Sequence, residues 1–144
     1  MASFVYTNAK RAFGAGEIDW DANTFKATLC MTNTTADTEK DKLLMNAFTT
    51  LDEYDGSGFA RVTLASKAVA ADTSNDRGEL DCADITFSSL AAGTRSVEGM
   101  LVYKHVSADS DSIPIAWIDN FTNFAGNGGD VTFTVNAEGL IQFT

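Results

Sequence analysis

The sequence predicts a mainly β protein: a single antiparallel, jelly-roll-like β-sandwich domain over residues 1–144, with one or two short helices near the N-terminus. Three observations support this prediction. The length is that of one domain. Segments rich in β-branched and aromatic residues recur through residues 59–143. Runs of Gly, Asn, Asp and Ser separate these segments at the spacing typical of a sandwich.

Helical periodicity is confined to the first third of the chain. Between Ser3 and Phe13, apolar residues recur at the spacing of one helical face, and Ser3 is the predicted N-cap. Gly14 would end this helix. A second helix is predicted over Thr38–Leu51, because its apolar residues share one stripe and Asp37 precedes them as a cap.

The strand predictions begin at Thr24–Thr32, where apolar and polar residues alternate as in a strand with one buried face. Seven further strands are predicted over Phe59–Leu64, Lys67–Ala71, Leu80–Ser88, Val97–Val106, Ile113–Phe121, Val131–Val135 and Leu140–Phe143. Met100–Tyr103 is apolar on both faces, which predicts a central strand. Because Asn136–Gly139 is a turn-forming run, the last two strands are predicted to form a hairpin.

The charge of the chain disfavours two classes of partner. Acidic residues outnumber basic ones by 20 to 10, for a net charge of -10. Nucleic acids and anionic membranes both require a basic surface, so neither is an expected partner. No apolar run approaches the roughly 18 residues of a membrane-spanning helix. Lys10 and Arg11 lie where a signal peptide would be apolar, so no signal peptide is expected.

The reactive side chains are few. Cys30 and Cys82 are the only cysteines, and both lie in predicted strands, so we expect buried free thiols; a disulfide between neighbouring strands is the alternative. As a catalytic base, His105 would need an orienting carboxylate from Asp109 or Asp111; a surface histidine is the simpler interpretation. The acidic loops are expected to be solvated turns, with a weak cation site as the alternative. We therefore predict no catalytic residue, no metal and no cofactor.

Four aromatic residues are the candidate partner-binding residues. Phe121 and Phe124 lie in a loop otherwise rich in Asn and Gly, so their rings either fold under the loop or contact a partner. Phe4 and Tyr6 lie in the N-terminal segment and are predicted to be exposed apolar groups of the same kind.

Several short runs of the chain also resemble a known group of proteins. They are Val5–Phe13, Gly16–Leu29, Leu51–Arg61, Ile85–Phe87, Gly99–Lys104, Pro114–Asp119, Asn127–Asp130 and Asn136–Gly139. In this order they resemble small virion proteins of tailed bacteriophages over nearly the whole chain.

The resemblance implies a head decoration (cement) protein. Such a protein would be a β-sandwich, assembled as a homotrimer on the outer capsid surface, with the major capsid protein as its partner and the host cytoplasm as its place of assembly. It carries over no catalytic residue. A tail, fibre or spike component that contacts a host glycan is the alternative. An unrelated small enzyme or a free carbohydrate-binding module is the third hypothesis.

Overall fold

Antiparallel strands dominate the computed structural model, which describes residues 3–144. The strands are β1 (Phe4–Val5), β2 (Phe25–Met31), β3 (Val62–Thr63), β4 (Ala68–Asp72), β5 (Arg77–Asp81), β6 (Ile85–Phe87), β7 (Val97–Lys104), β8 (Ile113–Ile118), β9 (Val131–Phe133) and β10 (Ile141–Phe143). One α-helix, α1 (Thr7–Gly14), lies near the N-terminus. The predicted fold class is therefore confirmed: mainly β and sandwich-like, with antiparallel sheets.

The largest sheet has five strands in the order β1-β8-β7-β2-β3. Strand β7 occupies its centre, and Leu101 of β7 lies between Thr28 of β2 and Trp117 of β8. The residues of β7 from Gly99 to Tyr103 are all buried, because both faces of this strand are covered. The prediction of a central strand there is confirmed. Two smaller sheets have the orders β10-β5-β4 and β6-β9.

The N-terminal helix starts later than predicted. Phe4 and Val5 form an edge strand on β8, and the helix follows with Tyr6 at its N-cap position. Ser3 is not the cap; its Oγ accepts a hydrogen bond from the backbone N–H of Asp119 at 2.9 Å. Pairing with β8 satisfies more of the backbone N–H and C=O groups of this segment than an isolated first helical turn would. The predicted end of the helix at Gly14 is confirmed.

The predicted helix over Thr38–Leu51 is wrong, because this segment contains only a 3₁₀ turn at Met45–Ala47. Local polar side chains bind the backbone instead. The carboxylate of Glu39 accepts hydrogen bonds from the backbone N–H of Thr49 at 2.8 Å and from its hydroxyl at 2.6 Å. Asp37 does not act as a cap, because its buried Oδ1 has no hydrogen-bond partner.

Two strand predictions are also corrected. The segment Leu80–Ser88 contains the end of β5 and all of β6, separated where the N–H of Ala83 donates to the carbonyl of Ala65 at 2.8 Å. The predicted hairpin of the last two strands does not form: β9 pairs with β6, and β10 pairs with β5. Gly139 has a φ of +90° and turns the chain toward a different sheet.

A glycine in β7 determines how closely the central strands pack. A Cβ atom at Gly99 would lie 2.1 Å from Cζ2 of Trp117, which is far inside van der Waals contact. Trp117 is fully buried, so its ring has no free space into which it can move. The indole therefore occupies the space that a side chain at residue 99 would take.

We expect Gly99→Ala to lower the free energy of unfolding by about 1–3 kcal/mol, because the added methyl group overpacks the core. Gly78→Ala in β5 is the matched control, since a Cβ there meets no atom within 4 Å. That variant should be neutral or slightly stabilising. Urea unfolding of both proteins measures the difference. Equal stabilities would contradict the proposed contact.

Candidate binding groove

Two adjoining grooves form one concave surface at the edges of two sheets. The first has a volume of about 680 Å³ and lies between β1 and β10. The second has a volume of about 610 Å³ and extends toward β9. Both are lined by Ser3, Ile118, Leu140 and Gln142, so they form one surface, which we call the edge groove.

The edge groove is bounded by two strands at the ends of their sheets. Strand β1 ends the five-stranded sheet, and β10 ends the three-stranded sheet. An end strand leaves a row of backbone N–H and C=O groups unpaired along its outer side. Phe4 and Phe143 add aromatic surface on the two sides, and Lys10 from α1 adds a positive charge. The groove can therefore offer both backbone hydrogen bonds and apolar contacts.

Phe4 lines the edge groove as a half-buried side chain, whereas Tyr6 does not. Tyr6 is fully buried, and its hydroxyl donates a hydrogen bond to the carbonyl of Ala36 at 2.6 Å. Burial also raises the pKa of this hydroxyl well above its ordinary value. The expectation that Tyr6 is exposed is wrong. Its ring instead packs edge-to-face against Phe4 at 5.0 Å and supports that wall.

Phe121 and Phe124 fold under their own loop. Their ring centroids are 5.8 Å apart, and each packs against Phe133 of β9, at 4.9 Å and 6.1 Å respectively. Both remain half-buried. Phe121 lines the second part of the edge groove, and Phe124 lines neither part. The structure therefore brings Phe4 and Phe121 to one surface.

Sequence reasoning missed the wall that β10 contributes. Leu140 and Phe143 were predicted only as part of a strand, with no binding role. The apolar pattern of that segment could not reveal its position, because β10 pairs with β5, about 60 residues earlier, through Ile141 and Leu80. That long-range pairing sets β10 across the groove from β1.

A group of interacting charges surrounds Arg61, outside the edge groove. Its guanidinium donates to Asp109 Oδ1 at 2.6 Å and to Tyr103 Oη at 3.0 Å, and it also pairs with Glu53. Hydrogen bonding to Arg61 holds the pKa of the Asp109 carboxyl below its ordinary value. Thr28 donates its hydroxyl to Glu53. These contacts join two loops to the central sheet, so the group acts as a structural clamp.

His105 is not oriented by either predicted carboxylate. Asp109 is bound by Arg61, and Asp111 accepts hydrogen bonds from Ser107 and from the backbone N–H of Ala108. The Ser107 hydroxyl is the main cause that lowers the pKa of Asp111 to about 2. The buried Nδ1 of His105 has no hydrogen-bond partner. Within residues 3–144, no three His, Cys, Asp or Glu side chains are grouped so as to hold a metal ion.

Both cysteines are buried free thiols, as predicted. Cys30 lies in β2 and is fully buried, which raises its pKa. Cys82 follows β5, and burial raises its pKa to about 11. Neither thiol has the depressed pKa of a reactive nucleophile.

The comparisons with known proteins give no match. No protein-family model matches the chain, and no curated protein and no solved structure is significantly similar to it. The resemblance to bacteriophage virion proteins therefore stays a prediction. Over the described part of the chain, no helix has the length and apolar character needed to cross a membrane.

Replacing Arg61 should test the clamp. We expect Arg61→Met to lower the free energy of unfolding at pH 7 by about 1–3 kcal/mol, because two partly buried carboxylates lose their cation. The folded-state pKa of Asp109 lies below its unfolded value, so its contribution is present above about pH 4 and is lost as the pH falls further. The free energy of unfolding of the variant should therefore differ most from that of wild type at neutral pH and least in acid.

Arg11→Met is the matched control for this series. Arg11 pairs with Glu17 at 2.6 Å, but the two side chains are 53% and 48% exposed, so little change is expected. Denaturant unfolding at several pH values between 2.5 and 7 supplies the measurement. A stability difference for Arg61→Met that is independent of pH would rule out the assigned role of its carboxylate partners.

The thiols should be unreactive in the folded protein. With a chromogenic disulfide reagent at neutral pH, we expect two thiols per chain after denaturation without reductant, and slow reaction of the native protein. Cys82, which is 7% exposed, should react before Cys30, which is 0% exposed. Replacing each cysteine with serine assigns the two rates. Rapid native labelling of Cys30 would show that its part of β2 is accessible.

Proposed function

We propose that this protein is a non-enzymatic structural component of a bacteriophage virion: a decoration protein that binds the outer surface of the capsid and stabilises the shell. The edge groove is the observation that carries the proposal. It combines apolar side chains such as Phe4 and Phe143 with strands at the ends of two sheets, which is the chemistry of a site for a polypeptide. The resemblance of the sequence to small virion proteins supplies the biological setting.

The occupant that fits the groove is an extended segment of the major capsid protein. A strand added beside β10 or β1 would satisfy the unpaired backbone groups of that edge, whereas a helix would leave them unpaired. Alternate side chains of the segment would contact Phe4 on one side and Leu140 on the other. The remainder of the strongly acidic surface would face basic residues of the shell and make attachment sensitive to salt.

Binding of this kind stabilises a shell by mass action. A protein that binds the assembled capsid, and not its separate subunits, shifts the assembly equilibrium toward the shell. Each attachment contributes only modestly, but the contribution is repeated at every equivalent site of the particle. Assembly of the protein as a homotrimer, which the resemblance implies, would further strengthen attachment because three grooves bind together.

The test uses particles that lack this protein. We expect added protein to bind them and to raise the temperature at which they rupture. The double variant Phe4→Ala, Phe121→Ala should bind at least tenfold more weakly, equivalent to about 1.4 kcal/mol, since it removes an aromatic side chain from each part of the groove. Leu43→Ala is the control, because Leu43 is 61% exposed and lies outside the groove.

Thermal unfolding of the isolated variants separates lost binding from lost folding. No binding of the wild-type protein to bare shells would overturn the decoration proposal. Electron micrographs that place it on the tail would support the glycan-contacting alternative. Full binding by the double variant would leave decoration possible and exclude the edge groove as the contact.

A further inference from the structure

Strand β4 is an open edge of the three-stranded sheet, at the end opposite β10. It pairs with β5 through five residues, from Ala68 opposite Asp81 to Asp72 opposite Arg77. Its first four residues are exposed, and Val69 is 55% exposed. Among the strands described, no other has this many consecutive exposed residues.

The pairing of β5 fixes which backbone groups of β4 face outward. The carbonyl of Leu80 accepts a hydrogen bond from the N–H of Leu140, so the backbone of Leu80 faces β10. Val69 lies directly opposite Leu80 on the other side. Since backbone direction alternates along a strand, the N–H and C=O groups of Val69 and Ala71 point away from β5. The free edge therefore offers two donors and two acceptors.

This edge lacks the features by which edge strands usually avoid pairing. The run Ala68–Ala71 contains neither a charged residue nor proline. The charged groups at its ends already have partners within the chain. Lys67 Nζ donates to the carbonyl of Asn23 at 2.7 Å, and Asp72 forms an ion pair with Arg77 at 3.0 Å. The whole chain has a net charge of -10, but the residues of β4 present no unpaired charge. A second chain can therefore approach this strand.

We propose that two copies of this chain associate through antiparallel pairing of their β4 strands about a twofold axis. The outward N–H and C=O groups of one β4 strand must lie opposite those of the other β4 strand, and this requirement restricts the register. Among the allowed registers, one overlaps all five residues: Val69 lies opposite Ala71 of the second copy, and Ala70 lies opposite its own equivalent. The result is a six-stranded sheet joined by four new hydrogen bonds.

We assign a second copy of the chain as the partner, because the hydrogen-bonding edge of β4 is complementary to itself. In this register the facing side chains are small, so the strands approach without a steric clash. An interface of five residues on each side buries less than the roughly 1,200 Å² of a stable complex. We therefore expect a weak dimer that is populated at protein concentrations of about 0.1–1 mM. This association is independent of the proposed capsid binding and is tested in solution.

The test is cysteine cross-linking, which reads the register directly. In Ala70→Cys the two thiols would face each other across the axis, in a non-hydrogen-bonded pair about 4.5 Å apart at Cα, and should form a disulfide on mild oxidation. Ala68→Cys is the matched control on the same face of β4. In the proposed register, residue 68 of one copy and residue 68 of the other are separated by four residues along the strand. This distance of about 13 Å is too long for a disulfide.

We expect at least fivefold more disulfide-linked dimer from Ala70→Cys than from Ala68→Cys on a non-reducing gel. The wild-type protein, with Cys30 and Cys82 buried, should give none. Adding Ala71→Pro to the Ala70→Cys chain removes an outward N–H and should reduce the cross-link to the level of the control; thermal unfolding checks that this chain still folds. Equal cross-linking at residues 70 and 68, or none at residue 70, would overturn the proposal.

Discussion

The close contact between the Trp117 indole and the backbone of Gly99 is the constraint on which the rest of the structure depends. It permits β7 and β8 to pack with a large buried ring where a side chain would otherwise stand. Strand β8 in turn carries β1, through the pairing of Trp117 with Phe4. One wall of the edge groove is therefore positioned by the packing of the central sheet.

Two regions of the molecule, the cluster around Arg61 and the strands at the ends of the sheets, differ in how their polar groups are satisfied. Around Arg61, the carboxylates of Glu53 and Asp109 bind a cation of the same chain, so both carboxylates already have a partner. Along β1, β4 and β10, the backbone groups of the outer sides meet no strand of the same chain. Open backbone groups are thus found at the ends of the sheets.

The sequence predicted local structure better than long-range pairing. The apolar run in Met100–Tyr103 reflects burial that this strand experiences directly, so the strand and its central place were predicted. The alternation in Thr24–Thr32 also predicted a strand, but the expectation of one buried face is wrong, because Thr28 and Cys30 are buried too. The helix predicted after Asp37 was wrong, because Glu39 binds the backbone N–H and hydroxyl of Thr49, ten positions away. Of the candidate site, Phe4 and Phe121 were predicted, but the wall from β10 depends on a pairing that no local pattern encodes.

The orientation of β10 also determines how the edge groove responds to force. Three consecutive residue pairs join β10 to β5, from Ile141 opposite Leu80 to Phe143 opposite Gly78. A pull along the strand axis loads these hydrogen bonds together, whereas a pull across the sheet opens them one after another. A polypeptide seated beside β10 would therefore resist sliding far better than peeling. The mechanical strength of any attachment at this edge depends on the direction of the load.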